Sequence, residues 1–437
     1  MAAVPDLTAA NRPLLRLAVF RQLWTGDLAS RLGYQVCEFL FPLIAVVRLH
    51  SSGLQAGLIT ASQFVPVVVL SLLAGAAADR PGGRRLMFVS SVARGAVLGL
   101  LGLVYGVWGL GFWVLLAAAV AVGSATVFYD VGFQSTIPRW LRAGELARGN
   151  GLLQASTSAT QLAGPTLAGL LLQAAGVPLA VGAATAMFAG GAIAFGLLMS
   201  GQPPAPEPAA EPAARPAAGT PAPSRGWRSV GAGLRYSWGC REIRDLCTAS
   251  GLFNMHEQAF VTAFLLFGVR TAHLQSGVVG GLLGVASVGA LAGSVASGRL
   301  SGALHAGATA TTGLITASAA FLIGPLFAPA SAVIPVFGIA FLANGLALGA
   351  YNVYAISLRQ AIPPREFVGS ATASYRMVSL GLVPVGALAG GALADLLGPR
   401  TALLAIAASM TCASLVLLAS PVKRIRRVEE AAAAAAA

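Results

Sequence analysis

Apolar runs of about eighteen residues or more, bounded by Gly, Pro or charge, recur along the whole chain. They fall at residues 22–47, 54–78, 86–107, 110–132, 150–173, 178–199, 246–269, 275–298, 307–327, 332–358, 368–394 and 399–419. About 20 apolar residues in a helix cross the hydrocarbon core of a bilayer, and a helix satisfies its own backbone there. The pattern therefore predicts an all-α membrane protein with twelve transmembrane helices.

Composition narrows the class. Of 437 residues, 56% are hydrophobic and 10% are Asp, Glu, Lys or Arg, against roughly a quarter charged in soluble domains, and the mean hydropathy is +0.77. A soluble enzyme and a single-span receptor are excluded, and no nucleophile triad, phosphate loop or metal-ligand cluster stands on a plausible soluble face. The net charge of +13 is a nucleic-acid signal only if the basic residues form a patch. With the termini in the cytoplasm, 22 of the 28 basic residues fall inside, Arg48, Arg270 and Arg400 fall outside, and Arg31, Arg94 and Arg376 fall within spans. That asymmetry is the positive-inside rule at work. The expected partners are the lipid bilayer and a small-molecule substrate, with no nucleic acid and no obligate protein partner. Cys37, Cys240, Cys247 and Cys412 form no paired motif, so neither a disulfide framework nor a metal site is implied.

Residues 201–226 contain 8 of the 24 prolines and 8 alanines, a composition that cannot bury a core and reads as a linker. The chain divides into a six-helix bundle at 1–200, a cytoplasmic linker with an amphipathic helix at 201–245, a second bundle at 246–422 and a cytoplasmic tail at 423–437. An internal repeat supports the division: Tyr129-Asp130-Val131 against Tyr351-Asn352-Val353, Gly169 against Gly391, and Gly176 against Gly398 all share one offset of 222 residues. Parallel six-span repeats leave a central cavity between two bundles, with access alternating as one rocks against the other. In the eighth span, Gly280, Gly284, Gly289 and Gly293 keep the spacing that lets helices pack closely in lipid.

Between the second and third spans the chain reads Gly75-Ala-Ala-Ala-Asp79-Arg80-Pro81-Gly82-Gly83-Arg84-Arg85. This resembles the signature GxxxDRxGR(R/K) of the major facilitator superfamily, departing at Gly83, where a basic residue is usual. Phe20-Arg21-Gln22-Leu23-Trp24, Tyr129 to Gln134, and Tyr351-Asn352-Val353 with Ser357 to Gln360 resemble the branch with enterobactin-type siderophore exporters and macrolide efflux proteins. Gly164-Pro165-Thr-Leu-Ala-Gly169 resembles the antiporter motif GPxxGG, with Ala168 replacing one Gly. The arginine motif that drug:proton antiporters carry in the fourth span is missing. The resemblance implies a secondary transporter in the inner membrane, exporting an amphipathic drug, antibiotic, siderophore or other secondary metabolite by proton antiport. No cofactor is expected, the proton gradient being the energy source. An uptake carrier of the same fold, or a non-transporting receptor or scaffold, are the alternatives.

Asp27, Arg31, Tyr34 and Glu38 recur at helical spacing, so they form one polar stripe on the first span. Charges at this depth almost always face protein or a wet cavity. Asp27 and Arg31 suit an ion pair, while Glu38 and its counterpart region in span seven, with Asn254, His256, Glu257 and Gln258, suit proton exchange, because a desolvated carboxylate holds its proton more tightly. Glu38, Glu257, Asp27 and Arg31 are thus the candidate proton-coupling residues. Tyr34, Gln35, Asn254, His256, Gln258, Tyr351 and Asn352 are the candidate substrate-cavity residues, among aromatics such as Phe260 and Phe264. The resemblance further implies a cytoplasmic gate from Gly75, Asp79, Arg80, Arg84 and Asp130, with Asp130 pairing Arg80 or Arg84. The matching loop of the second half, Gly293 to Arg299, lacks the carboxylate, and Asn352 replaces Asp130, so the gate is expected to be asymmetric.

Overall fold

The computed structural model describes residues 17–78, 83–140, 146–200, 235–236, 238–300, 305–364 and 368–428. Its helices are α1 Ala18–Val47, α2 Gly53–Ala78, α3 Gly83–Trp108, α4 Phe112–Trp140, α5 Leu146–Ser200, α6 Arg241–Leu266 with a π-helical turn at Phe267–Thr271, α7 Ser276–Arg299, α8 Ala306–Ala320 and α9 Ile323–Phe327. After these come α10 Val333–Ala361, α11 Val368–Gly381, α12 Val383–Leu397, α13 Pro399–Ser414 and α14 Val416–Ala419. No strand occurs among the described residues. Ten helical stretches among these residues are long and apolar enough to cross a bilayer.

One stretch, residues 148–199, runs for 52 residues, roughly 78 Å if straight and far too long for one crossing. It breaks at Ala175 and Gly176, where Gly176 takes φ +73°, so α5 consists of two arms. Gly398, its partner in the 222-residue repeat, takes φ +80° at the turn between α12 and α13. Both turns need left-handed backbone, which glycine alone adopts freely. The expected span 368–394 is likewise interrupted, at Leu382 between α11 and α12, and α6 begins at Arg241, inside the segment expected to be linker. Residues 201–234 of that linker, including Trp227, lie outside the described residues.

Large apolar side chains face outward: Leu103 is 68% exposed, Leu396 80%, and Trp108 and Trp113, flanking the α3–α4 turn, 81% and 74%. Such exposure fits lipid, and tryptophans at helix ends fit the membrane interface. Two ends of the bundle follow from helix direction: a termini end, where α1 starts and α10 stops, and a far end holding Arg48, Gly176, Arg270 and Gly398.

Lipid tails are as apolar as leucine, so helices associate through close packing. In the first half α1 packs on both arms of α5, with Gly26 against Phe195, Gly33 against Phe188 and Gly164 of α5 against Gln35 of α1. In the second half Gly289 and Gly293 of α7 lie on the α10 backbone at Leu342 and Leu346, and Gly386 and Gly390 of α12 lie on α6 at Met255 and Ala259. The second half also stacks Phe260 on Phe321, ring centroids 4.1 Å apart, with Phe341 edge-on to both. Phe260 and Phe264 are fully buried in this cluster. They pack the second half and line no cavity, correcting the expectation of an aromatic substrate site built on them.

Candidate functional site

The halves meet along two seams, α2 against α12 and α5 against α7, both tight at the far end. Gly391 of α12 rests on the backbone at Gly53 of α2, and Gly57 of α2 rests on Ala387 of α12. In the other seam Gly169 of α5 rests on the backbone at Ser276 of α7, and Gly280 of α7 rests on Pro165 of α5. Gly169 and Gly391 are therefore equivalent contacts, each pressing on the first turn of a helix in the opposite half. A Cβ at either position would collide with backbone.

That first turn leaves N–H groups without helical partners, and each seam supplies acceptors from the other half. Asp395 accepts from the backbone N–H of Gly53 at 2.7 Å and of Leu54 at 2.9 Å. Gln173, 222 residues earlier in the chain, accepts from Gly277 N–H at 3.0 Å and donates to the Gln275 side chain at 2.7 Å. The first latch is charged, and Arg270 stands 3.9 Å from the Asp395 carboxylate while donating to the Ser51 carbonyl. The second latch is neutral. Of the motif read as antiporter-like, Pro165 and Gly169 thus build part of this contact between halves, whereas Gly164 packs within the first half, against Gln35 of α1. Gly280 and Gly284 of the glycine stripe serve the same seam, whereas Gly289 and Gly293 pack within the second half.

Inside the first half, Arg31 Nε donates to both oxygens of Asp27, at 2.8 and 3.0 Å, and Tyr129 O–H donates to the same carboxylate at 2.7 Å. Asp27 is fully buried, so three hydrogen bonds compensate a charge that is costly to desolvate. Arg94, 1% exposed, stands over the Tyr129 ring at 4.4 Å and the Phe188 ring at 4.6 Å. It also donates to the Ser90 carbonyl and the Ser91 hydroxyl, both at 3.3 Å. In the second half, the repeat partner Tyr351 is 2% exposed and bonds to Ser250 of α6. It belongs to a helix contact there, and not to a cavity wall as expected.

Beside the α5–α7 seam a cavity of about 590 Å³ lies toward the termini end, lined by α5, α7, α10 and α11. Its polar wall includes Gln154, Gln161, Ser294, Asn352, Arg359 and Arg376. A smaller pocket of about 100 Å³ within the first half holds Arg31, Tyr34, Gln35, Arg94, Asp130 and the shared Gln161. Asn352, Tyr34 and Gln35 are thus cavity residues. His256 is not placed with them: its ring nitrogens meet the Leu252 carbonyl at 2.7 Å and Ser409 of α13 at 3.0 Å. Asn254 donates to the Ser379 carbonyl at 3.5 Å, beside the break at Leu382, and Gln258 is half-buried.

Glu38 and Glu257 are each half-buried, and neither carboxylate has a hydrogen-bond or ion-pair partner among the described residues. Glu257 therefore does not pair with His256 or Asn254. Pro42 has no N–H and so frees the Glu38 carbonyl four residues back, to which Gln63 Nε2 of α2 donates at 3.3 Å. Pro165 does the same for Gln161, whose carbonyl accepts from Ser287 of α7 at 3.5 Å. Of the expected gate, Asp79 and Arg80 lie outside the described residues, and Gly75 lies on α2. Arg84 donates to the Leu198 carbonyl at 3.1 Å, while Asp130 shares the small pocket with Arg31 and Arg94. Of the two partners expected for Asp130, Arg80 lies outside the described residues, and Asp130 stands with Arg31 and Arg94 instead of Arg84. Sequence reading missed Asp395 and Gln173; their shared 222-residue offset was the available signal. Among the described residues no group of His, Cys, Asp and Glu is arranged to hold a metal ion.

Comparison with known proteins agrees with this architecture. The chain is 27% identical over 410 residues to the multidrug efflux pump Tap of Mycobacterium tuberculosis, covering 91% of this chain and 92% of that one. A bacterial homologue of the human lysosomal transporter Spinster, solved inward-facing and unoccupied, superposes with a TM-score of 0.69 at 14% identity, covering 96% of this chain and 98% of the other. A bacterial homologue of the iron transporter ferroportin scores 0.66 in its inward-facing state, at 18% identity and 93% and 99% coverage. In its outward-facing state it scores 0.58, again at 18% identity, with 92% and 98% coverage. Residues 23–383 match the profile of the Major Facilitator Superfamily, and the chain, two seamed helical halves with a cavity where they meet, belongs to that family of membrane transporters.

Proposed function

We propose that the protein is a proton-driven exporter of amphipathic small molecules that works by alternating access in the inner membrane, with both termini cytoplasmic. The observation that carries the reading is the contrast between the ends: paired latches and glycine contacts close the far end, while a cavity of about 590 Å³ lies toward the termini. With the termini in the cytoplasm, as the basic residues require, this is the inward-open state. The efflux function of Tap, and the better superposition on inward-facing neighbours, support the direction and the state. Counting both arms of α5 and the apolar helix α2 separately gives the twelve crossings of two six-helix bundles.

In this reading Glu38 and Glu257 exchange protons, because each carboxylate is held in the membrane without a compensating partner. The Asp27–Arg31–Tyr129 cluster is already compensated and positions α1 against α4. The segment Gly75, Asp79, Arg80 and Arg84 closes the termini end in the opposite state. Flux of a lipophilic dye in proteoliposomes under imposed proton gradients of either sign tests the proposal. Glu38→Gln and Glu257→Gln should each reduce gradient-driven accumulation at least tenfold while leaving thermal unfolding unchanged. Parent-like accumulation in both variants would remove these residues from coupling, and transport that ignores the gradient would make the protein a facilitated carrier.

A further inference from the structure

The two internal pockets meet at Gln161, and their ionic balance is uneven. Four arginines face or border them: Arg31 and Arg94 in the small pocket, Arg359 and Arg376 in the large one. Among the described residues two carboxylates stand against these: Asp27, bound to Arg31 and Tyr129, and Asp130, which is within electrostatic reach of Arg31, Arg94 and Arg376. Glu38 and Glu257 interact appreciably with none of the four arginines. Among the described residues no carboxylate lines the large cavity.

Arg359 has donor capacity to spare. Its Nε donates to the Ala355 carbonyl at 3.0 Å, and its guanidinium carbon lies 3.3 Å from the Tyr375 ring centre. Its Nη1 is buried with no hydrogen-bond partner. A buried donor left unmade is costly, and a guanidinium pre-stacked on an aromatic ring is already oriented for a planar or tetrahedral oxyanion. Arg376, one helix away, is exposed to the same space. Around the two arginines Leu291, Val353 and Ile356 supply apolar wall.

We infer that the large cavity is an anion-selective substrate site, in which Arg359 and Arg376 take the carboxylate, sulfonate or phosphate head of an amphipathic solute while the apolar wall takes its body. This rests on the reading of the protein as a small-molecule carrier and adds the charge class of its cargo. A cationic amphiphile meets two guanidiniums and, among the described residues, no lining carboxylate there, and is disfavoured. The same oxyanion chemistry could be offered by a lipid phosphate, so the test separates the two sources.

The full-length protein in nanodiscs of zwitterionic lipid, with no gradient, is titrated calorimetrically with naphthalene-2-sulfonate, naphthalene-2-carboxamide and (naphthylmethyl)trimethylammonium. The sulfonate should bind at least tenfold more tightly than the ammonium, with the amide between them. Arg359→Gln and Arg376→Gln should each weaken the sulfonate about tenfold or more, as loss of a charge-assisted hydrogen bond requires, and bring it to the level of the amide. Arg376→Lys should restore part of the preference. Equal affinity of the three probes in the parent protein overturns the inference without recourse to any variant, as does sulfonate binding indifferent to both glutamine substitutions. Discs containing phosphatidylglycerol are the last arm: unchanged sulfonate affinity supports a solute site, and competitive loss assigns the arginines to lipid phosphate and overturns it. Binding without a gradient is independent of coupling. Failure here with intact dye export would therefore reject the charge class alone.

Discussion

The two halves use one plan with different chemistry, one copy charged and the other neutral. At the far-end seams Asp395, beside Arg270, holds the first turn of α2, while Gln173 with Gln275 holds the first turn of α7. Inside the halves, Tyr129 bonds to the Asp27–Arg31 pair, while Tyr351 bonds to Ser250. Backbone geometry is shared, since Gly169 and Gly391 make the same contact and Gly176 and Gly398 the same turn. The difference teaches that repetition fixes the frame, where glycine is needed for space or for left-handed backbone, and leaves the polar groups free to diverge. A charged contact can be strong when made and costly when broken, so it suits a position that must be sharply in one state or another. A neutral amide contact opens and closes at smaller cost.

The sharpest way to break the comparison is at Asp27. Replacing it with Ala strands Arg31 in the bundle, an effect of about 3–5 kcal/mol where one partner of a buried pair is removed, whereas Asp27→Ala with Arg31→Ala strands nothing. Thermal unfolding in detergent should therefore show the single variant less stable than the double. Additive losses would mean that the two residues act separately.

Next in size is the charged latch. Asp395→Asn keeps the shape but removes the charge at the α2 N-terminus and beside Arg270, costing about 1.5–3 kcal/mol for hydrogen bonds to a charged group. The expected result is a larger population with the far end open, read as a longer distance between spin labels on the far ends of α2 and α12. An unchanged distribution would reduce Asp395 to a simple helix cap.

The neutral counterparts should respond less. Gln173→Ala removes hydrogen bonds across the α5–α7 seam worth about 0.5–1.5 kcal/mol each, and the same labels placed on α5 and α7 should report a shift smaller than that from Asp395→Asn. If Gln173→Ala opens the far end more, the charged seam is not the stronger one. Smallest of all, Ser250→Ala should cost about 1 kcal/mol or less in the unfolding assay that exposes Asp27→Ala. A loss comparable with Asp27→Ala would show that the second half depends on its tyrosine contact as much as the first.

Much of the frame was legible from residues near one another in the chain. The apolar runs located nearly every helix because span length is set by bilayer thickness, and the i, i+4 spacing of Asp27 and Arg31 anticipated their ion pair. Less was legible at the site. His256 was grouped with Glu257 because the repeat puts both at the depth of Glu38, but successive side chains on a helix point about 100° apart, and His256 turns to Ser409 instead. Phe260 and Phe264 were assigned to a cavity because periodicity cannot say whether an inward-facing ring meets another ring or an open space. Asp395 was missed because its partners lie some 340 residues away in the chain.

The sequence by itself determined that the chain lives in lipid, where most of its helices fall and that it repeats after 222 residues, and its loop charges carry the orientation proposed above. These depend on local hydropathy, on charge in loops and on glycine at particular backbone angles, all readable in one dimension. Only the tertiary structure decided which half each polar group serves. Pro165 and Gly169 proved to be half of a seam completed by Gly280 and Ser276, while Gly164 proved to pack on α1, and Asp130 proved to sit with Arg31 and Arg94 and not with Arg84. The physical reason is that in a bilayer every helix is apolar toward every neighbour, so hydrophobicity does not choose partners. The choice falls to close packing and to a few buried hydrogen bonds, whose two ends lie far apart in the chain.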